Sequence, residues 1–109
     1  MALKHLKRAT LAEKVLQRFV ELARELPQVQ LVFVSDDTDE GPRIWTVINA
    51  PRFEEEPRNQ VYQAEYAALR DVAESPFGFR VINVQELKHP LEHVISPIDR
   101  LLFDRKTAG

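Results

Sequence analysis

No cysteine occurs anywhere in the 109 residues, which removes disulfides, thiolate metal sites and a thiol nucleophile from consideration and fits a reducing compartment. The cytoplasm is the expected location. Positive charge is not in excess either: the formal net charge is -2, so the field that favours nucleic acid through counterion release is missing. Nucleic acid is not an expected partner. No apolar run approaches the roughly 20 residues of a membrane-spanning helix, so no membrane association is expected. The opening residues carry Lys4, Lys7 and Arg8 without the apolar stretch and small-residue cleavage site of a secretory signal. Internal repeats, low-complexity tracts and interdomain linkers are also missing. A single domain over residues 1–109 is expected, with 1–9 and 105–109 as candidate loose ends.

What is present suffices for a core. Hydrophobic residues make up 44% and charged residues 29%, a globular mix rather than the low-hydrophobicity, high-charge signature of disorder. Thr10 and Glu13 have capping-box spacing and predict a helix start. Leu11, Val15, Leu16, Phe19, Leu22, Ala23 and Leu26 then recur at helical spacing, and Pro27 ends the run. Leu3 and Leu6 continue the same pattern backwards, leaving the first nine residues as either a frayed tail or extra helical turns.

Residues 29–35 are β-branched and aromatic, with Val29, Leu31 and Phe33 on one face and Val32 and Val34 on the other, which predicts a strand buried on both sides. A polar connection leads to a second strand over 43–50, with Ile44, Thr46 and Ile48 opposite Trp45 and Val47; a hairpin-like pair follows. Pro57 opens a second helix whose apolar side is Val61, Ala64, Ala68, Leu69 and Val72, expected to run to about Glu74. Residues 79–84 read as a third strand, 90–95 as a short helix and 100–103 as a last short strand. The predicted class is α+β in the order αββαβ with a short C-terminal helix and strand, a small mixed sheet packed against helices.

An amphipathic helix, the strands "VQLVFVS" and "RIWTVINA", a helix, the strand "FRVINV" and then "ELKHPLEHVISPIDRLLFDR" together resemble the minimal nucleotidyltransferases in layout over most of the chain. The family carries Gly-Ser at the end of the first strand, paired aspartates opening the second and a third carboxylate on the next, and these groups hold metals and nucleotide phosphates. The corresponding positions here are Val34-Ser35, then Arg43 and Trp45, then Arg80. Arg and Trp cannot ligate Mg²⁺, so the resemblance implies the fold without the chemistry. The connection from Ser35 to Arg43 is also shorter than the helical turn that active members insert. Members of the family commonly pair with a helical partner protein, so the resemblance implies a protein partner.

Other constellations have simpler explanations. Asp36, Asp37, Asp39 and Glu40 could hold a hard cation, yet their spacing does not match a Ca²⁺ loop, and a solvated turn accounts for them. His89, Glu92 and His93 spell the inverted zinc-protease pattern H-x-x-E-H, but Pro90 starts a helix after the first histidine and little chain follows to supply a third ligand. Glu86-Leu87-Lys88 lacks the partner aspartate of a metal nuclease. Tyr62 and Tyr66, one helical turn apart, fit core or rim packing, although they could stack on bases or line a pocket.

No catalytic set and no cofactor are expected. Candidate binding residues are Asp36, Asp37, Asp39, Arg43 and Arg80; no metal site is expected, with His89 and His93 as candidates for one. The expected function is a non-catalytic, nucleotidyltransferase-like domain acting through protein–protein contacts, by self-association as a dimer or with another protein. The alternative is a metal- or nucleotide-dependent enzyme using the acidic loop 36–40. A third option, a small-ligand regulatory domain, would need a pocket with convergent polar groups.

Overall fold

The computed structural model describes residues 2–35, 41–70, 72, 75, 77–88, 90 and 99–108, the side chains of 2–11, 107 and 108 excepted. Chain order is α1 (Ala2–Arg24), β1 (Val29–Ser35), β2 (Arg43–Ile48), α2 (Glu56–Ala68), β3 (Gly78–Asn83), a 3-10 turn (Val84–Glu86), β4 (Arg100–Asp104) and the short α3 (Arg105–Ala108). The short helix expected at 90–95 falls outside the described residues apart from Pro90.

The first helix starts at Ala2 rather than at Thr10. No Pro or Gly stands before Pro27 to interrupt it, so Thr10 sits inside the helix and the extra turns are realised. The second helix stops at Ala68, short of the predicted Glu74. Leu69, Arg70 and Val72 instead form successive turns, their amides bonding the carbonyls of Tyr66, Ala67 and Leu69. That turn redirects the chain toward β3.

Among the described residues, four strands lie in the order β3-β2-β1-β4. β1 and β2 form the expected antiparallel pair, β4 joins the other side of β1 antiparallel, and β3 runs parallel to β2. A parallel neighbour needs a crossover, which α2 supplies. Val15, Leu16, Phe19 and Ala23 from α1 and Val61, Ala64 and Ala68 from α2 pack with Val32, Val34, Ile44, Ile48 and Phe103 in one core. Fully burying one of the Val, Leu, Ile or Phe side chains among them is worth about 1.5–3 kcal/mol relative to exposure. The helices therefore close one face of the sheet.

Val29 joins that core cluster, not the face of Leu31 and Phe33, because the β1–β2 register shifts between Val29 and Leu31. On the second face, Phe33 and Val47 are also buried, and Phe33 stacks on Trp45 with ring centroids 6.1 Å apart and planes 7° from parallel. β1 is thus covered on both sides, as its continuous apolar run implies.

Two polar devices tie the ends of elements. The buried Asn83 side chain donates to the Ala50 carbonyl (3.0 Å) and accepts from the Ala50 amide (3.2 Å), continuing the β2–β3 ladder where β2 stops. Arg105 donates to the carbonyls of Arg24 (2.9 Å), Leu26 (3.0 Å) and Val29 (2.7 Å), satisfying acceptors that the end of α1 leaves open. Among the described residues, no helix is long and apolar enough to cross a membrane.

Candidate functional site

Three positions singled out from the sequence come together on the second face of the sheet. Arg43 and Trp45 alternate with Ile44 along β2, and the parallel register sets Trp45 directly opposite Arg80 and Arg43 opposite Gly78. Residues two apart on a strand share a face, so the two arginines stand diagonally across one strand pair. Phe33 extends the row through Trp45 to Arg80. The Arg80 guanidinium donates to the Phe79 carbonyl at 2.9 Å. Arg43 lies over Gly78, where an added Cβ would make only ordinary contact with its side chain, at 3.6 Å from Nε. This row presents cations and an indole, a surface suited to packing or to anions and unsuited to holding Mg²⁺. Asp36, Asp37, Asp39 and Glu40 lie outside the described residues, as do His89, Glu92 and His93. Among the described residues, no group of three His, Asp or Glu side chains is placed to hold a metal ion.

A second site lies on the opposite face, where the sequence named Tyr62 and Tyr66 as residues that could line a pocket but not Glu65. Tyr62, Glu65, Tyr66 and Leu69 of α2 and the turn after it, with Phe79 of β3, line a groove of about 410 Å³. The helical residues fall at steps of three, one and three, which places all four on one stripe. Tyr66 is 78% exposed and Tyr62 40%, so these rings belong to the surface and not to the core. Phe79 is fixed from below: its ring meets the buried Phe19 edge-on, with centroids 5.4 Å apart.

Glu65 is the unusual member. Its Oε2 is buried and has no hydrogen-bond partner among the described residues. Burial raises the carboxyl from 4.5 to about 7, because the charged form loses solvation. A carboxyl in this condition, framed by aromatic rings, is a candidate for binding a cationic group or for carrying a proton near neutral pH. The signal available in the sequence was the stripe itself: a glutamate set between two tyrosines and followed by a leucine on one helical face.

A third concavity of about 280 Å³ lies on the sheet's second face, with Leu31, Val47 and Val84 on its apolar side and Gln30, Asn49, Asp104 and Lys106 at its polar side. Three of its polar groups are engaged within the chain: Asn49 Oδ1 accepts from Gln85 at 2.8 Å, Asp104 Oδ1 accepts from the Lys106 amide at 3.0 Å, and Gln30 Nε2 donates to the Gln28 carbonyl at 3.3 Å. The groove at Glu65 is therefore the better candidate, since it holds a buried acceptor that has no donor among the described residues. No protein-family model, curated protein or solved structure matches this chain.

Proposed function

We propose that this domain is non-catalytic, similar in layout to the minimal nucleotidyltransferases, and that it works in the cytoplasm through protein–protein contact, by self-association or as the companion of another protein in a toxin–antitoxin-like or accessory regulatory role. The observation that carries the reading is the juxtaposition of positions 43, 45 and 80 on one face of neighbouring strands. In the layout that the sequence resembles, this is where carboxylates gather to hold cations, and here two guanidinium groups and a stacked indole occupy it. Positive charge at that place repels the metal ions on which phosphoryl transfer depends. The α2–β3 groove supports the protein-contact half of the reading. Tyrosines on a fixed apolar base are residue types enriched at protein interfaces.

Two measurements test it. Sedimentation velocity across a wide concentration range reads self-association, and affinity capture from the source cells, followed by binding between purified components, reads a heterologous partner. Contact that Tyr66→Ser weakens at least tenfold supports the reading. Absence of both self-association and any reconstituted partner overturns it. Calorimetric titration with Mg²⁺ and each nucleoside triphosphate tests the non-catalytic half. Binding abolished by Asp36→Ala with Asp37→Ala would establish the acidic loop as a working site instead.

A further inference from the structure

We propose that the α2–β3 groove seats one primary ammonium group, the end of a lysine side chain from a partner protein, with Glu65 as its counter-ion and Tyr62, Tyr66 and Phe79 as its aromatic walls. The inference rests on the protein-contact reading above and adds the chemistry of that contact.

The argument starts from the unmet acceptor. Glu65 Oε2 is buried and has no donor among the described residues, and a buried acceptor left in that state costs stability that an N–H meeting it after a rotation of the carboxyl would restore. The surrounding rings narrow the choice of donor. Tyrosine and phenylalanine faces carry negative partial charge and attract cations, so the groove favours a donor that is also positively charged. Leu69 gives the apolar surface along which a methylene stem can lie while its charged end reaches the carboxylate.

Geometry separates the cations. A quaternary ammonium satisfies the rings but brings no N–H to Oε2. A guanidinium is a planar fork that gains most from two acceptor oxygens turned toward it side by side, a larger rearrangement than the carboxyl rotation that brings the buried Oε2 alone to the groove. A primary ammonium is compact, carries three donors and needs only one of them for Oε2. The volume of about 410 Å³ leaves room for the stem as well as the head. Because Phe79 is held by Phe19, at least one wall stands ready before binding, which lowers the cost of ordering the site.

The test is an NMR titration of the whole chain, reading the Tyr62 and Tyr66 ring signals and the Leu69 methyl signals. The probes are Nα-acetyl-lysine N-methylamide, its norleucine counterpart with hydrogen in place of the side-chain ammonium, and its trimethyl-lysine counterpart. The lysine compound should shift those signals saturably, the other two should bind at least tenfold more weakly, and Glu65→Gln should cost the lysine compound at least tenfold in affinity. Equal binding of the lysine and norleucine compounds, or undiminished lysine binding by Glu65→Gln, overturns the ammonium assignment. A reconstituted protein partner that depends on Tyr66 but not on Glu65 also overturns it, while leaving the protein-contact reading intact. Lysine-compound binding with no protein partner would instead remove the reading on which the partner assignment rests.

Discussion

Replacing Glu65 by Gln tests whether the fold holds this carboxyl against its preference for charge. The pKa rises from 4.5 to about 7 on folding, so between those values the folded chain keeps a proton that the unfolded chain has released. Stability is then undiminished below the lower value, falls as pH rises through the window and stays lowered above the upper value. Taken whole, the shift corresponds to about 3 kcal/mol. Glu65 is only partly buried, however, and solvent screening reduces the expected effect to about 1–2 kcal/mol. Gln keeps the shape and cannot ionise. An unpaired amide adds an offset that does not vary with pH, so the quantity to read is the change in the difference between the two proteins. Urea unfolding at pH 4.5, 6, 7 and 8 should show Glu65→Gln gaining about 1–2 kcal/mol on the wild type from the acid to the alkaline end. A difference that stays flat across the window, or grows toward acid, refutes the reasoning.

Asn83→Leu should cost about 2–4 kcal/mol, because it leaves both the amide and the carbonyl of Ala50 without their partner; chemical denaturation reads it. Thr46→Val should stabilise by about 1 kcal/mol, since the fully buried Thr46 hydroxyl has no partner among the described residues and valine fills the same space; a flat or destabilising result in thermal melts would show that the hydroxyl is satisfied. Arg105→Ala should cost about 2 kcal/mol by unfastening three carbonyls at the end of α1 and the start of β1, with amide exchange rising first around residues 24–29.

The strands were legible because apolar alternation has a period of two and each run was bounded by turn residues. Ile44, Thr46 and Ile48 against Trp45 and Val47 came out on opposite faces as read. The place of β4 beside β1 was not legible, because that pairing joins segments about seventy residues apart and no local signal encodes it. The end of α2 was misread for a related reason. Val72 keeps helical spacing after Leu69, yet the chain has to turn there to reach β3, and tertiary closure overrides periodicity. At the site, the arginines on β2 and β3 were named from the sequence, and the sheet register brings them together. Glu65 was missed because a single glutamate in a helix looks like solvated surface until burial of its oxygen is seen.

The two properties of Glu65 belong to one balance. A carboxyl that destabilises the folded state when charged is one whose stability a cation can restore, so ligand binding and the pH effect should be linked. At ten times its dissociation constant, the lysine compound should stabilise the folded protein by about 1.4 kcal/mol through mass action. That gain should appear in the wild type at pH 8, where Glu65 is ionised, and shrink at pH 5, where binding must first displace a proton. Among the described residues, Tyr62 and Tyr66 are the other titratable side chains lining the groove, and β3 contributes Phe79 to it. Thermal melts with and without the compound, for wild type and Glu65→Gln at both pH values, read all four corners. The same gain in Glu65→Gln at pH 8 would mean that the compound binds elsewhere. A wild-type gain equal at pH 5 and pH 8 would mean that the carboxylate is not its counter-ion, and the groove would then be apolar surface with a protonated glutamate in its wall.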